Sequence, residues 1–215
     1  MFDLVIFDCD GVLVDSEPLA AQLFSEALHS VGLAWSPGEV DTAFRGRRMA
    51  DCLERIECEL GRALPPDFGD ELARRERACF AEALLPIAGV AETLAHLADG
   101  LGVPVCVASS SEPERIEHSL RVTGLFEFFP RARFSGVEVA SGKPAPDLFL
   151  HAAHMCGAAP RRCAVIEDSV AGITGGLAAG MQVFAYRAKG GPAHPGRVDF
   201  DRMDALTELL IARAP

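Results

Sequence analysis

The hydrophobic pattern of this chain changes period twice. The continuous apolar run Leu4-Val5-Ile6-Phe7, ending at Asp8, predicts a buried strand over 4–8. From Ser16 the spacing becomes helical. Leu19, Leu23, Phe24, Leu28 and Val31 form one stripe, with Ser16 as cap, Glu17 and Pro18 in the first turn and Gly32 as the stop. Further helices are predicted over 37–44, over a stretch carrying Met49, Leu53, Ile56 and Leu60, and over 68–83 after the break Leu64-Pro65-Pro66-Asp67. Past Leu85, Pro86 and Gly89, short β-branched runs return at 103–108, 164–166 and 181–186, alternating with helical patterns. Such alternation predicts right-handed crossovers and a parallel sheet covered on both faces. The expectation is an α/β core of residues 1–15 and 84–215, interrupted by an all-helical insertion over 16–83.

Composition narrows the class. The chain has 215 residues, 49% hydrophobic and 24% charged, which suffices for one good core and a smaller second unit, without disordered or collagen-like bias. No apolar run has the length of a membrane span, and the N-terminus runs into a strand without signal-peptide regions, so a cytoplasmic protein is expected, with a monomer as the default. The seven cysteines include no Cys-x-x-Cys pair, which favours reduced thiols over a disulfide framework. A formal net charge of −11 repels nucleic acid and anionic membrane. Any phosphate bound here must be held by local positive charge.

Asp8 and Asp10 leave the first strand at alternate positions and so share a face, and Gly11 lets the chain turn just beyond them. Like charges this close repel unless a cation or a proton lies between them, which points to a hard, oxygen-seeking ion such as Mg2+; an ordinary acidic turn is the competing reading. Three more polar clusters fall at predicted strand ends or between them, where a parallel sheet places its ligands. Ser109-Ser110-Ser111 offers hydroxyls and backbone N–H groups to an anion, and Ser111-Glu112-Pro113-Glu114 has capping-box spacing. Glu167-Asp168-Ser169 precedes an Ala/Gly-rich helix, and Gly142-Lys143-Pro144-Ala145-Pro146-Asp147 stiffens the backbone around one lysine. Each cluster alone is explained by a helix cap, a solvated lysine or helix-dipole charges. Together they supply the nucleophile, proton donor, metal ligands and positive charge of a phosphoryl-transfer site.

With these motifs in this order, the chain resembles the haloacid dehalogenase superfamily, in its phosphatase and β-phosphoglucomutase-like branch with a helical cap. The motifs are Asp8-Cys9-Asp10-Gly11-Val12-Leu13-Val14-Asp15-Ser16-Glu17, then Ser109, then Gly142-Lys143-Pro144, then Glu167-Asp168. The resemblance implies a Rossmann-like core, with Asp8 as nucleophile forming an aspartyl-phosphate. Asp10 would protonate the leaving oxygen and later take a proton from water, which requires a protonatable Asp10 beside an Asp8 that stays ionised on the metal. It assigns Mg2+ to Asp8, the backbone carbonyl of Asp10 and Asp168, with Glu167 either a further ligand or a partner orienting Lys143. Ser109, Ser110 and Lys143 would hold the phosphoryl oxygens. Asp15 is expected to cap the first cap helix and Asp147 a helix over 148–156.

Asp10 argues against dehalogenation, which has no need of that acid. The cap histidine of β-phosphoglucomutase-like members falls on Ala20, and His29 is off that register, which weakens a mutase. Phosphonate-cleaving members use a cap lysine, and residues 16–83 contain none. The expected activity is therefore a Mg2+-dependent phosphatase of small phosphorylated metabolites, with a phosphomutase as alternative and a receiver-like signalling module as a more distant one. Phe44-Arg45-Gly46-Arg47-Arg48-Met49 puts three arginines in an interhelical loop, and guanidinium forks suit a carboxylate or second phosphate. Arg45, Arg47 and Arg48 are thus candidates for recognising a sugar phosphate or phosphorylated sugar acid such as 6-phosphogluconate or phosphoglycolate. The Gly/Pro-rich loop 187–197 follows a strand end and could border the site.

Overall fold

A computed structural model describes residues 1–187 and 190–214. Six strands, β1 (Leu4–Phe7), β2 (Val105–Ser109), β3 (Arg133–Ser135), β4 (Cys163–Glu167), β5 (Gln182–Tyr186) and β6 (Arg197–Phe200), form one parallel sheet. Their order is β3-β2-β1-β4-β5-β6, so the chain reverses its direction of travel across the sheet beside β1. In open α/β sheets ligands bind at the carboxyl ends of strands at such a reversal. Here those ends carry Asp8 from β1 and Glu167-Asp168 from β4.

Side-chain alternation divides the core. Val5 and Phe7 join one cluster with α5 (Val90–Ala95), α6 (Pro113–Val122) and α9 (Leu206–Ala212). Leu4 and Ile6 join the other with α7 (Asp147–Met155) and α8 (Val170–Ala178). The strands at 4–8, 103–108, 164–166 and 181–186 are present with small shifts, whereas β3 and β6 go unpredicted by the pattern. Both are short edge strands bearing charge, Arg133 on one edge and the Arg197–Asp199 pair on the other, and such residues blunt an edge while hiding its hydrophobic signature.

The insertion is helical throughout: α1 (Glu17–Val31), α2 (Pro37–Phe44), α3 (Met49–Leu60) and α4 (Phe68–Ala83). Its own cluster holds Phe24, Leu28, Val40, Phe44, Ile56, Phe68 and Leu72. The insertion leaves and rejoins the core through paired backbone. Asp15 N–H donates to the Leu85 carbonyl at 2.9 Å, Ile87 N–H donates to the Leu13 carbonyl at 2.9 Å, and Val14 bridges Pro86. Among the described residues no helix is long and apolar enough to cross a membrane.

Four predicted caps are placed differently. Ser16 and Ser111 cap no helix with their side chains, because both hydroxyls turn to Asp10 instead. Asp15 is exposed at the residue before the N-cap of α1, and Asp147 is the first residue of α7, whose N-cap is Pro146.

Candidate active site

Asp8, at the end of β1, sits almost fully buried at the floor of a cleft of about 510 Å3 between the sheet and the helical insertion. Lys143 Nζ donates to Asp8 Oδ1 at 2.7 Å and to Glu167 Oε1 at 2.6 Å, and its side chain has no solvent exposure. A solvated surface lysine is thus excluded. The other oxygen of Glu167 accepts from Ser169 N–H and Oγ, both at 2.9 Å, and Ser169 Oγ accepts from Gly172 N–H to cap α8. This packing leaves no room for a side chain at residue 172, where a Cβ would lie 1.7 Å from Glu167 Oε1. Gly11 has φ +77°, and a Cβ there would come 2.2 Å from Asp168 Oδ2.

Asp8, Glu167 and Asp168 each offer an oxygen within 4.8 Å of the others. Asp168 Oδ1 is buried without a hydrogen-bond partner, and Oδ2 accepts from Arg45 Nη1 of the insertion at 2.6 Å. Three converging carboxylates with an orphaned buried oxygen form an all-oxygen donor set that fits a small hard dication.

Asp10 stands beside this group in a different environment. Its Oδ1 accepts from Ser16 Oγ at 2.6 Å, and its Oδ2 accepts from Ser111 Oγ and from Arg115 Nη1, each at 2.7 Å. Burial, opposed by Lys143 and reinforced by Glu167 and Asp10, pushes the Asp8 carboxyl up to about 8. Burial also raises Asp168, with Glu167, Glu17 and Asp8 adding to the effect. At Asp10 burial is outweighed by Arg115 and by the two serine hydroxyls, which hold the carboxyl below its ordinary value. Among the protein's own groups Asp8 is crowded by acids, while Asp10 has a guanidinium of its own. A hard cation among the three carboxylates would relieve the crowding at Asp8.

Ser109 is buried, and its Oγ accepts from Ser111 N–H at 3.1 Å; Ser110 Oγ donates to the Gly46 carbonyl at 2.8 Å, tying the strand end to the arginine-bearing loop. Both line the cleft, as do Arg45 and Arg47. Arg45 also pairs with Asp41, while Arg47 is exposed and forms no ion pair among the described residues. Arg48 lies outside the cleft lining. It forks onto Asp51 at 3.0 Å, and its stem packs on Gly136 and Gly142 beside the Lys143 loop. In the loop 187–197, residues 188 and 189 lie outside the described residues, and none of the others lines the cleft.

Arg115 and Glu76 are site residues that the motifs above do not include. Their signals were present: Arg115 lies one helical turn after Ser111, and Glu76 interrupts the buried stripe Phe68, Leu72, Glu76, Phe80 of α4 at four-residue spacing. An acid inside an apolar stripe marks a buried partner of opposite charge.

The family model for haloacid dehalogenase-like hydrolases matches residues 2–180. The chain belongs to the haloacid dehalogenase-like hydrolases. It is 32% identical to 6-phosphogluconate phosphatase of Escherichia coli (strain K12), over 98% of this chain and 96% of that protein. Hexitol phosphatase A of the same organism is 30% identical over 98% of this chain and 94% of its own length. A haloacid dehalogenase family hydrolase from Deinococcus radiodurans R1, solved with bound phosphate and sodium, superposes with a TM-score of 0.72 at 37% identity, covering 98% of this chain and 96% of that one. This haloacid dehalogenase-like chain is an enzyme, and its two named relatives are phosphatases.

Proposed function

We propose that this enzyme is a Mg2+-dependent phosphatase of small phosphorylated metabolites, working through an aspartyl-phosphate on Asp8. The observation that carries the reading is the placement of Asp8. One oxygen is clamped by Lys143, and it lies at the floor of a cleft with two further carboxylates beside it and with Asp10 lining the same cleft. Asp8 attacks phosphorus as the bond to the leaving oxygen breaks, and Asp10 delivers a proton to that oxygen. Water then attacks the aspartyl-phosphate, Asp10 takes its proton, and inorganic phosphate and free Asp8 result. Ser109, Ser110 and Lys143 hold the phosphoryl oxygens. Asp8, Asp168 and the Asp10 carbonyl, with Glu167 in reach, would hold Mg2+, which would supply charge neutralisation for an anionic substrate.

The relatives' names and the cleft arginines support a phosphorylated sugar or sugar acid, with 6-phosphogluconate and phosphoglycolate as the first compounds to try. A phosphomutase is less well supported. Ala20 lines the cleft where a cap histidine would act, and His29 bonds the Trp35 carbonyl outside it. Phosphate release from a panel of sugar phosphates and phosphorylated acids, with Mg2+ or EDTA, tests the reading. Turnover that needs the metal and vanishes in Asp8→Asn supports it, and no turnover on any compound overturns it.

A further inference from the structure

Asp10 does not stand alone, and the way it is held goes beyond the scheme above. A carboxyl's terminal torsion is broad and nearly two-fold, so a proton donor that must meet one oxygen of a substrate needs its plane fixed from outside. Three donors do this here: Ser16 Oγ on Oδ1, and Ser111 Oγ with Arg115 Nη1 on Oδ2. Arg115 also donates to Ser111 Oγ, which makes a closed triangle on that oxygen.

Arg115 is itself positioned by the helical insertion. Its Nε faces Glu76 Oε2 at 3.4 Å, and the guanidinium lies over the Phe80 ring at 5.2 Å. Both residues belong to α4, and Glu76 is only 6% exposed. Nε is buried with no hydrogen bond, so the approach to Glu76 is an ion pair that a small shift of α4 would tighten or release. His118, one helical turn beyond Arg115, adds a second tie between the same helices through the Arg77 carbonyl at 3.0 Å.

We propose that Arg115 is the positioning residue for Asp10, and that Glu76 and Phe80 set Arg115 from the insertion, so that the orientation of the acid depends on where the insertion stands. The inference rests on the phosphatase reading, in which Asp10 protonates the leaving oxygen. A guanidinium suits this task because its planar fork fixes direction as well as charge, which an ammonium does not.

The test exploits leaving-group chemistry. A sugar phosphate expels an alkoxide that needs the proton, whereas 4-nitrophenyl phosphate expels a phenolate that leaves without one. The value of kcat/KM reports the steps up to that departure and is not affected by hydrolysis of the phosphoenzyme. For Arg115→Met we expect kcat/KM on the best sugar phosphate to fall about 10²–10³-fold, within the range for a displaced general acid. On 4-nitrophenyl phosphate the fall should be severalfold at most. Arg115→Lys should recover part of the loss, and Glu76→Gln, which is nearly isosteric, should show the same selective pattern at about a tenth of the size. Equal losses on both substrates, in folded Arg115→Met or in Glu76→Gln, would overturn the inference while leaving the phosphatase reading intact. Failure of the wild type on both substrates would overturn both.

Discussion

The two walls of the cleft are built on opposite principles. On the sheet side, Asp8, Lys143 and Glu167 are 3%, 2% and 0% exposed, and every charge is locked by at least one short contact to another buried group. On the insertion side, Arg45 has a third of its side chain in water, Arg47 is exposed, and the nearby acids Asp41 and Asp51 keep about a third of theirs. Charges held in a low-dielectric floor interact strongly and hold their geometry, whereas half-solvated pairs are each worth little and exchange partners readily. The first arrangement suits bond-making on phosphorus. The second suits reading the remainder of a substrate.

Substitutions on each wall should therefore differ in kind, and the largest effect belongs to the floor. Lys143→Ala leaves Asp8 and Glu167 buried without their shared cation, and a loss of about 3–5 kcal/mol in urea unfolding is expected. A loss below 1 kcal/mol would mean the floor is as adaptable as the opposite wall. Gly172→Ala drives a methyl into Glu167, and overpacking of this kind should cost about 1–3 kcal/mol, read as a lower urea midpoint with unchanged slope.

The third effect is a pH dependence. The folded-state pKa of Asp8 is raised to about 8 from an ordinary 3.8, so the folded state holds a proton that the unfolded chain has released. With EDTA present, stability should decline as pH rises through that window, since the unfolded state binds fewer protons there. Added Mg2+ should flatten the decline by taking the proton's place, and thermal melts at pH 5, 6, 7 and 8 with and without metal will show whether it does. The smallest effects belong to the arginine loop. Arg47→Ala should raise KM for an acidic sugar phosphate by up to about tenfold with kcat unchanged, equivalent to about 1.4 kcal/mol. Arg48→Ala should leave KM alone and shift stability by about 0.5 kcal/mol, because its fork is spent on Asp51.

The same contrast explains what could be read from the chain. Asp8, Lys143, Glu167 and Asp168 were legible because each follows an apolar strand or sits in a stiff loop, where local pattern marks the position. Capping rules place Ser16 and Ser111 at helix ends because they weigh only neighbours in sequence. Asp10, 101 residues from Ser111, is a half-buried carboxylate whose oxygens must be satisfied, and it draws both hydroxyls away from the helix ends. Arg115 and Glu76 escaped for a related reason. Each lies on an amphipathic helix whose partner comes from a distant element, so only the assembled fold brings them together. Strands β3 and β6 were too short and too charged to carry a periodic signal. The arginine loop was found, but which of its three guanidiniums faces the cleft depends on backbone direction over four residues, which composition does not encode.

The paired backbone at Val14 and Pro86 bears on how such an enzyme can change its diet. The chain departs for the helical insertion and returns within one strand spacing, about 4.8 Å, so the sheet has no gap for the insertion to bridge. The closure entropy of whatever is spliced between those two points grows only about 0.6 kcal/mol for each doubling of its length. A lineage could lengthen, shorten or replace the whole segment at this splice with little consequence for Asp8, Lys143 and Glu167, which the sheet side holds by itself. The floor would then be inherited intact while appetite for new metabolites is tried out on an exchangeable part, which must bring with it its own means of setting Arg115 and Asp10.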